Sequence, residues 1–264
     1  MDTSNKRELA NIRVLVTRPA AQSAHLADLI CSKGGEAVLF PALEIQPMAL
    51  NVASLSRRPA DFHLIIFVSQ NAVRFSLPQL QANGLPGTIR IAAVGQGTAA
   101  ELQRHGLQNV VCPKQVFDSE ALLEELEAFP LAQAPVLIVR GRGGRAFLGD
   151  ALRERGALVE YLECYTRSKP ARDMLELQSQ PAGAEIAACV ATSSDIVVNL
   201  FEMAGKQGRP WLRRVPFFVS HPHVAATAFM HEVELIFVAG IGDKALVDGM
   251  RTWFTRSRPA GAVS

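Results

Sequence analysis

The chain has 264 residues, 48% of them hydrophobic, with 27 basic against 25 acidic side chains and a formal charge of +2. That length is enough for one large or two modest domains whose core needs neither disulfides nor metals. So small a charge excludes a nucleic-acid binder recognised by charge alone, while a local basic cleft stays open.

The four cysteines, Cys31, Cys112, Cys164 and Cys189, form no C-x-x-C pair. This argues against a zinc knuckle or redox motif and fits a reducing cytosol. Segment 1–14 is polar and lacks the apolar core of a secretory leader. The most apolar windows, 64–68 and 235–241, are far shorter than the roughly 20 residues of a membrane helix. The expectation is a soluble, cytoplasmic protein with no membrane partner.

In chain order, VLVT at 14–17 predicts a strand, and Leu26, Leu29 and Ile30 mark one face of a helix. Gly34 stands where a helix C-terminus takes a positive φ. ALEIQP (42–47) is an extended run, and LIIFVS (64–69) and IAAVG (91–95) predict strands. Gly106 ends the helix that starts near Thr98, and Asp118 or Ser119 caps the one carrying Leu122, Leu123 and Leu126. VLIV (136–139) leads through a glycine-rich turn into a helix with Phe147, Leu148, Ala151 and Leu152, ended by Gly156. VEYLECYTR (159–167), AACVAT (187–192), FFVS (217–220) and LIFVA (235–239) complete the strands, and 255–264 reads as a loose tail.

The pattern is written twice. VLVTRPAAQSAHLADLICSKGGEAV (14–38) aligns with VLIVRGRGGRAFLGDALRERGALVE (136–160) at an offset of 122, pairing Arg18 with Arg140 and Gly34 with Gly156. FVSQNAV (67–73) answers ATSSDIV (191–197), with Ser69 opposite Ser193. IAAVGQGTAAEL (91–102) answers FFVSHPHVAATAF (217–229), with Gly95 opposite His221, and 110–126 answers 235–250. Ordered matches with a slowly drifting offset define a duplicated unit. The strands are apolar nearly throughout, the mark of parallel strands covered on both faces by helices. The class is α/β with two similar parallel sheets.

One turn raises a separate question. Gly141, Gly143 and Ala146 fit the G-x-G-x-x-A form of a dinucleotide fingerprint, with Glu160 and Glu163 further on. The corresponding turn of the first repeat, Pro19, Ala21 and Gln22, has no glycine. Three readings stand: a nucleotide site, a permissive turn, or an anion-binding turn in which backbone N–H groups and Arg140 or Arg142 face a carboxylate-bearing ligand.

VLVTRP, FVSQNAV, AAVGQGTAAEL, VRGRGGR, LECYTR and ATSSDIV follow one another as in uroporphyrinogen-III synthases, and the chain resembles that family over about residues 12–250. The resemblance implies two flavodoxin-like α/β domains joined by a two-stranded β ladder of about 42–47 and 159–167. Domain 1 would hold 1–41 and 168–264, domain 2 would hold 42–167, and the active-site cleft would lie between them. It implies that the first strand–helix of each repeat sits with the other repeat's remainder. It also implies a monomeric, cofactor-independent lyase of tetrapyrrole (haem) biosynthesis that uses no metal. The implied substrate is hydroxymethylbilane, cyclised through a spiro intermediate with inversion of its terminal pyrrole, and a transient handover from hydroxymethylbilane synthase is a further expectation. No nucleic acid takes part. The alternative from another class is a two-domain cytoplasmic small-ligand sensor, since a fold does not settle a function.

The substrate's carboxylate arms need donors, which in open α/β sheets cluster beyond the carboxyl ends of the strands. Ser69, Gln70 and Asn71 follow LIIFV, and Gly95, Gln96, Gly97 and Thr98 follow IAAV. Arg140, Gly141 and Arg142 follow VLIV, and Thr192, Ser193 and Ser194 follow AACVA. Each turn opens a helix whose free N–H groups favour anions, and plain helix capping is the competing reading. Arg18 is a further candidate, against a salt bridge at a turn.

The segment LECYTR resembles the one whose tyrosine assists departure of the hydroxyl, which makes Tyr165 the candidate general acid and mere packing its alternative. Tyr161 lies four residues earlier, an even spacing that puts both on one side of an extended strand. Where the family often has a Gly-x-Thr turn, this chain has His221-Pro222-His223, and Val224 supplies no hydroxyl. His221 or His223 then becomes a carboxylate partner. A metal pair joined by His231 is the weaker reading, for want of a flanking carboxylate.

Overall fold

The computed structural model describes residues 8–114, 118–174, 177 and 185–257. It resolves into two compact units, Met1–Glu44 with Ser168–Ser264, and Ile45–Arg167.

In the first unit the strands are β1 (Arg13–Val16), β2 (Glu36–Leu39), β8 (Ile186–Ala191), β9 (Phe217–Val219) and β10 (Ile236–Val238). They form a sheet of order β10-β9-β8-β1-β2 in which every neighbour pairs in parallel. The second unit's sheet has the order β3-β7-β6-β4-β5. Its strands are β3 (Glu44–Pro47), β4 (Leu64–Phe67), β5 (Ile91–Ala93), β6 (Pro135–Gly141) and β7 (Leu158–Ser168). β4 pairs in parallel with β5 and β6, and β6 with β7.

The duplication carries through to topology. β9-β8-β1-β2 and β5-β4-β6-β7 are equivalent runs, and a parallel bridge from Ala92 to Val111 stands where β10 stands in the first sheet. In each case the strand opening one repeat pairs with a strand of the other, β1 with β8 and β6 with β4.

The fully apolar strands serve two cores each. In β4, Ile65 and Phe67 join one cluster and Leu64 and Ile66 the other, the alternation of a strand covered on both faces. The first cluster packs against α2 (Gln70–Ala82) and α3 (Gln96–Arg104), through Leu77 and Leu102 among others. The second packs against α4 (Ser119–Glu125) and α5 (Phe147–Glu154), through Leu123 and Leu152. In the first unit, α6 (Ser194–Arg214, interrupted at Gly205) and α7 (Pro222–Met230) cover one face. There α1 (Ala24–Ser32) and α8 (Asp243–Ser257) cover the other. Gly34 and Gly156, equivalent in the repeats, follow α1 and α5 with φ of 82° and 86°, as helix-ending glycines do.

Two readings need correction. Thr255 to Ser257 continue α8 instead of opening a loose tail, and the part of that tail from Arg258 onward lies outside the described residues. Tyr161 and Tyr165 do not share a face: Tyr161 packs with the α4/α5 cluster and Tyr165 with the α2/α3 cluster. The register of β6 on β7 shifts between Arg140, opposite Glu163, and Gly141, opposite Tyr165. That irregularity re-aims the strand, as bulges do. Among the described residues no helix is long and apolar enough to cross a membrane.

Candidate active site

Because β4, β5, β6 and β7 pair in parallel, as do the strands of the first sheet, the carboxyl ends of each set line one edge. In the second unit β4 runs into Ser69, β5 into Gly95 and β6 into the 140–144 turn, while β7 ends past Tyr165. Near this edge lies a cavity of about 180 Å³ whose lining includes Val68, Arg140, Arg145, Tyr161, Tyr165 and Arg167.

Tyr165 is fully buried, its ring beside Phe75 at 6.1 Å between centroids. Its Oη lies 3.0 Å from Ser69 Oγ, and Arg167 Nη2 donates to it at 3.2 Å. Ser69 opens α2, and its Oγ accepts the Ala72 N–H at 3.1 Å. Ser69 is thus a helix cap, and the same oxygen meets Tyr165. The neighbouring Cys164 is buried, and burial pushes its thiol up to about 12. It stays protonated at neutral pH and offers no nucleophile.

The glycine turn has a concrete purpose. A Cβ at position 141 would stand 2.5 Å from Cε2 of Tyr165, and one at 149 would stand 1.9 Å from the Tyr161 hydroxyl. Gly143 has φ 68°, and its N–H donates to Glu163 Oε1 at 3.3 Å. Arg140 donates to the same oxygen at 3.1 Å and to the Gly144 carbonyl at 3.1 Å. Its guanidinium lies 3.7 Å over the Tyr161 ring. Arg142 stands 3.9 Å from the other Glu163 oxygen. The turn therefore binds a carboxylate, and it is the chain's own. Glu160, the other acid a ribose would need, accepts from Ser56 N–H and Oγ at 2.9 and 2.6 Å. The geometry of the fingerprint is explained by tyrosine rings and Glu163 without a nucleotide.

The remaining candidates divide between the units. In the second, the Gln70 amide fills the space above Gly97, where a Cβ would lie 2.4 Å from Nε2. Asn71 and Gly95 are half-buried, Gln96 is exposed and Thr98 is buried. In the first unit Arg18 is paired with Asp243, which also holds His25 at 2.7 Å. The turn-salt-bridge reading describes that arginine.

Ser193 caps α6 by accepting the Ile196 N–H at 3.3 Å, and Ser194 Oγ meets Thr227 Oγ1 at 2.8 Å. The Thr192 carbonyl accepts from Ser220 at 3.2 Å. His221 stacks on His223 at 5.2 Å, and burial, then the charge of His223, hold its pKa below the ordinary value. His231 instead stacks on Phe201 at 4.6 Å. Among the described residues no three His, Cys, Asp or Glu side chains converge as a metal site.

Sequence reading missed Glu163 as the carboxylate in the turn and Arg167 as a partner of Tyr165. A register argument pairing β6 with β7 could have found the first. The i, i+2 spacing on an extended strand could have found the second.

The family model for "Uroporphyrinogen-III synthase HemD" matches residues 24–246. The chain belongs to the uroporphyrinogen-III synthase family. It is 31% identical over 224 residues to the uroporphyrinogen-III synthase of Escherichia coli K12, covering 81% of this chain and 89% of that protein. The fold is shared with solved structures as well. A mutant uroporphyrinogen III synthase of the extreme thermophile Thermus thermophilus aligns with TM-score 0.64 at 19% identity, over 93% of this chain and all of that one. The Helicobacter pylori uroporphyrinogen-III synthetase aligns with TM-score 0.60 at 16% identity, over 92% and 99%.

Proposed function

We propose that the protein is a cofactor-independent cyclising lyase that converts hydroxymethylbilane to uroporphyrinogen III. The observation that carries this reading, beyond family membership, is Tyr165: a phenol at the carboxyl edge of the second sheet, held by two polar partners and lining a cavity. The pyrrole nitrogens of the substrate expel the hydroxyl and delocalise the cation that remains. Tyr165 donates the proton with which the oxygen leaves. The substituted carbon of the terminal pyrrole attacks, and the spiro intermediate reopens and recloses inverted.

The protein's larger task is to hold the flexible chain in the crowded geometry that the spiro route needs. Orientation contributes up to about 7–11 kcal/mol in favourable systems, against about 10²–10⁴-fold for one general acid. Residues 1–41 with 168–264, and 42–167, are read as the two domains of this enzyme, a reading that the compact units support. The buried Cys164 and Cys189, packed as small hydrophobes, fit residence in the cytoplasm.

The test is direct. Freshly made hydroxymethylbilane is supplied without nucleotide or metal, the products are oxidised, and the isomers are resolved. Type III is expected; type I alone would overturn the reading. Within the same assay Tyr165→Phe is expected to lower turnover by about a hundredfold, the low end for a general acid, and Tyr161→Phe by much less. Equal losses would remove the acid role.

A further inference from the structure

We infer that Ser69 and Arg167 form a two-donor seat for the Tyr165 oxygen, aiming its proton into the cavity and holding the phenolate left behind. This rests on Tyr165 being the proton donor proposed above.

A phenol oxygen has one hydrogen and two lone pairs. Arg167 has no acceptor, so its contact at 3.2 Å fills one lone pair. Ser69 Oγ accepts the Ala72 N–H and keeps one hydrogen to give; in the 3.0 Å pair with Tyr165 either oxygen can donate, and the seat assigns the donation to Ser69. In that assignment both lone pairs are filled, and the phenol hydrogen is the group left to point toward the cavity that Tyr165 lines.

When the substrate's C–O bond breaks, a pyrrole nitrogen lone pair supplies the electrons. The departing oxygen takes the phenol proton and leaves as water. The negative charge stays on Oη, facing the serine O–H and the guanidinium. The proton lost from the terminal pyrrole at ring closure returns to Oη, so the seat is restored each turnover. Donors fixed in advance around a developing charge lower the barrier because they need no reorganisation. The equivalent serine in the other repeat, Ser193, caps α6 in the same way. The chain's two tyrosines, Tyr161 and Tyr165, both lie in the second unit with Ser69, and Ser193 lies in the first. Arg167 and Ser69 are positioning residues in this scheme.

Arg167 is exposed and its bond to Tyr165 part-buried, so solvent partly screens it, and its removal is expected to cost about tenfold in kcat. KM should stay within about twofold, because the charge exists only past the ground state. Arg167→Lys should restore most of the rate, and Arg167→Gln made in a Tyr165→Phe background should change kcat little.

A readout independent of turnover comes from fluorotyrosine labelling. The chain's two tyrosines give two fluorine NMR signals, assigned with Tyr161→Phe. Arg167→Gln is expected to move the Tyr165 signal and leave the Tyr161 signal in place. Should that variant fold poorly, Arg167→Met, which also removes the donor, serves for the same comparison. The inference is overturned by an unmoved Tyr165 signal, by a loss confined to KM, or by an equal kcat loss without the Tyr165 hydroxyl. Type I product alone from the unmodified chain would instead overturn the proposed reaction, and the fluorine signals would still decide whether the seat exists.

Discussion

Gly149 sits inside α5 with its Cα turned to the Tyr161 hydroxyl, and Gly141 sits at the end of β6 against the face of Tyr165. Both glycines exist for close approach, and neither needs an unusual φ. Gly149→Ala would put a methyl group 1.9 Å from Oη and 2.8 Å from Cζ of Tyr161. It is expected to destabilise the protein by about 1–3 kcal/mol, the range for overpacking. Adding Tyr161→Phe removes the worst contact and should recover part of the loss, because Cζ remains too close. Urea unfolding of the two single variants and the double variant measures both effects. The same residues show why the fingerprint misled. A sequence reports that a side chain is missing; it does not report whether a phosphate or a phenol ring occupies the space.

At the scale of elements, the two serine caps form an internal control. Ser69 and Ser193 each accept the N–H three residues on, opening α2 and α6. Replacing either with alanine should cost about 1 kcal/mol of stability. Ser69→Ala should in addition lower kcat by about tenfold, through loss of its bond to Tyr165, while Ser193→Ala, at a candidate carboxylate contact, should raise KM more than it lowers kcat. Comparable kcat for the two variants, with matched unfolding midpoints, would count against a role for Ser69 beyond its cap.

The caps, the helix-ending glycines and the order of strands and helices were all legible beforehand, since each depends on neighbours a few residues apart. The facing of Tyr161 and Tyr165 was not. Counting by twos assumes a regular ladder, and the register shift opposite Arg140 and Gly141 breaks it.

For the whole molecule, the duplication offers a folding prediction. Residues 45–167 form a continuous stretch that owns a complete sheet and a packed cluster on each of its faces. Made alone, this segment is expected to fold and to unfold cooperatively in urea, as single domains of this size usually do. Residues 1–44 made alone should remain unfolded, because β1 finds its partner β8 far along the chain. Circular dichroism with and without denaturant distinguishes the outcomes; a melted 45–167 segment would refute this picture of the unit.

What the residues determined unaided was periodic and local: two written copies of one pattern, apolar strands covered on both faces, capped helices and an α/β class. What only the tertiary structure decided was non-local. Which repeat lends a strand to which sheet, which carboxylate fills the Arg140 turn, and which groups meet the Tyr165 oxygen all join residues distant in sequence. Hydrophobic burial is satisfied by many apolar partners, so composition alone cannot choose among them. Register, bulge geometry and the fit of rings against glycines make that choice, and they come into being only when the strands are packed together.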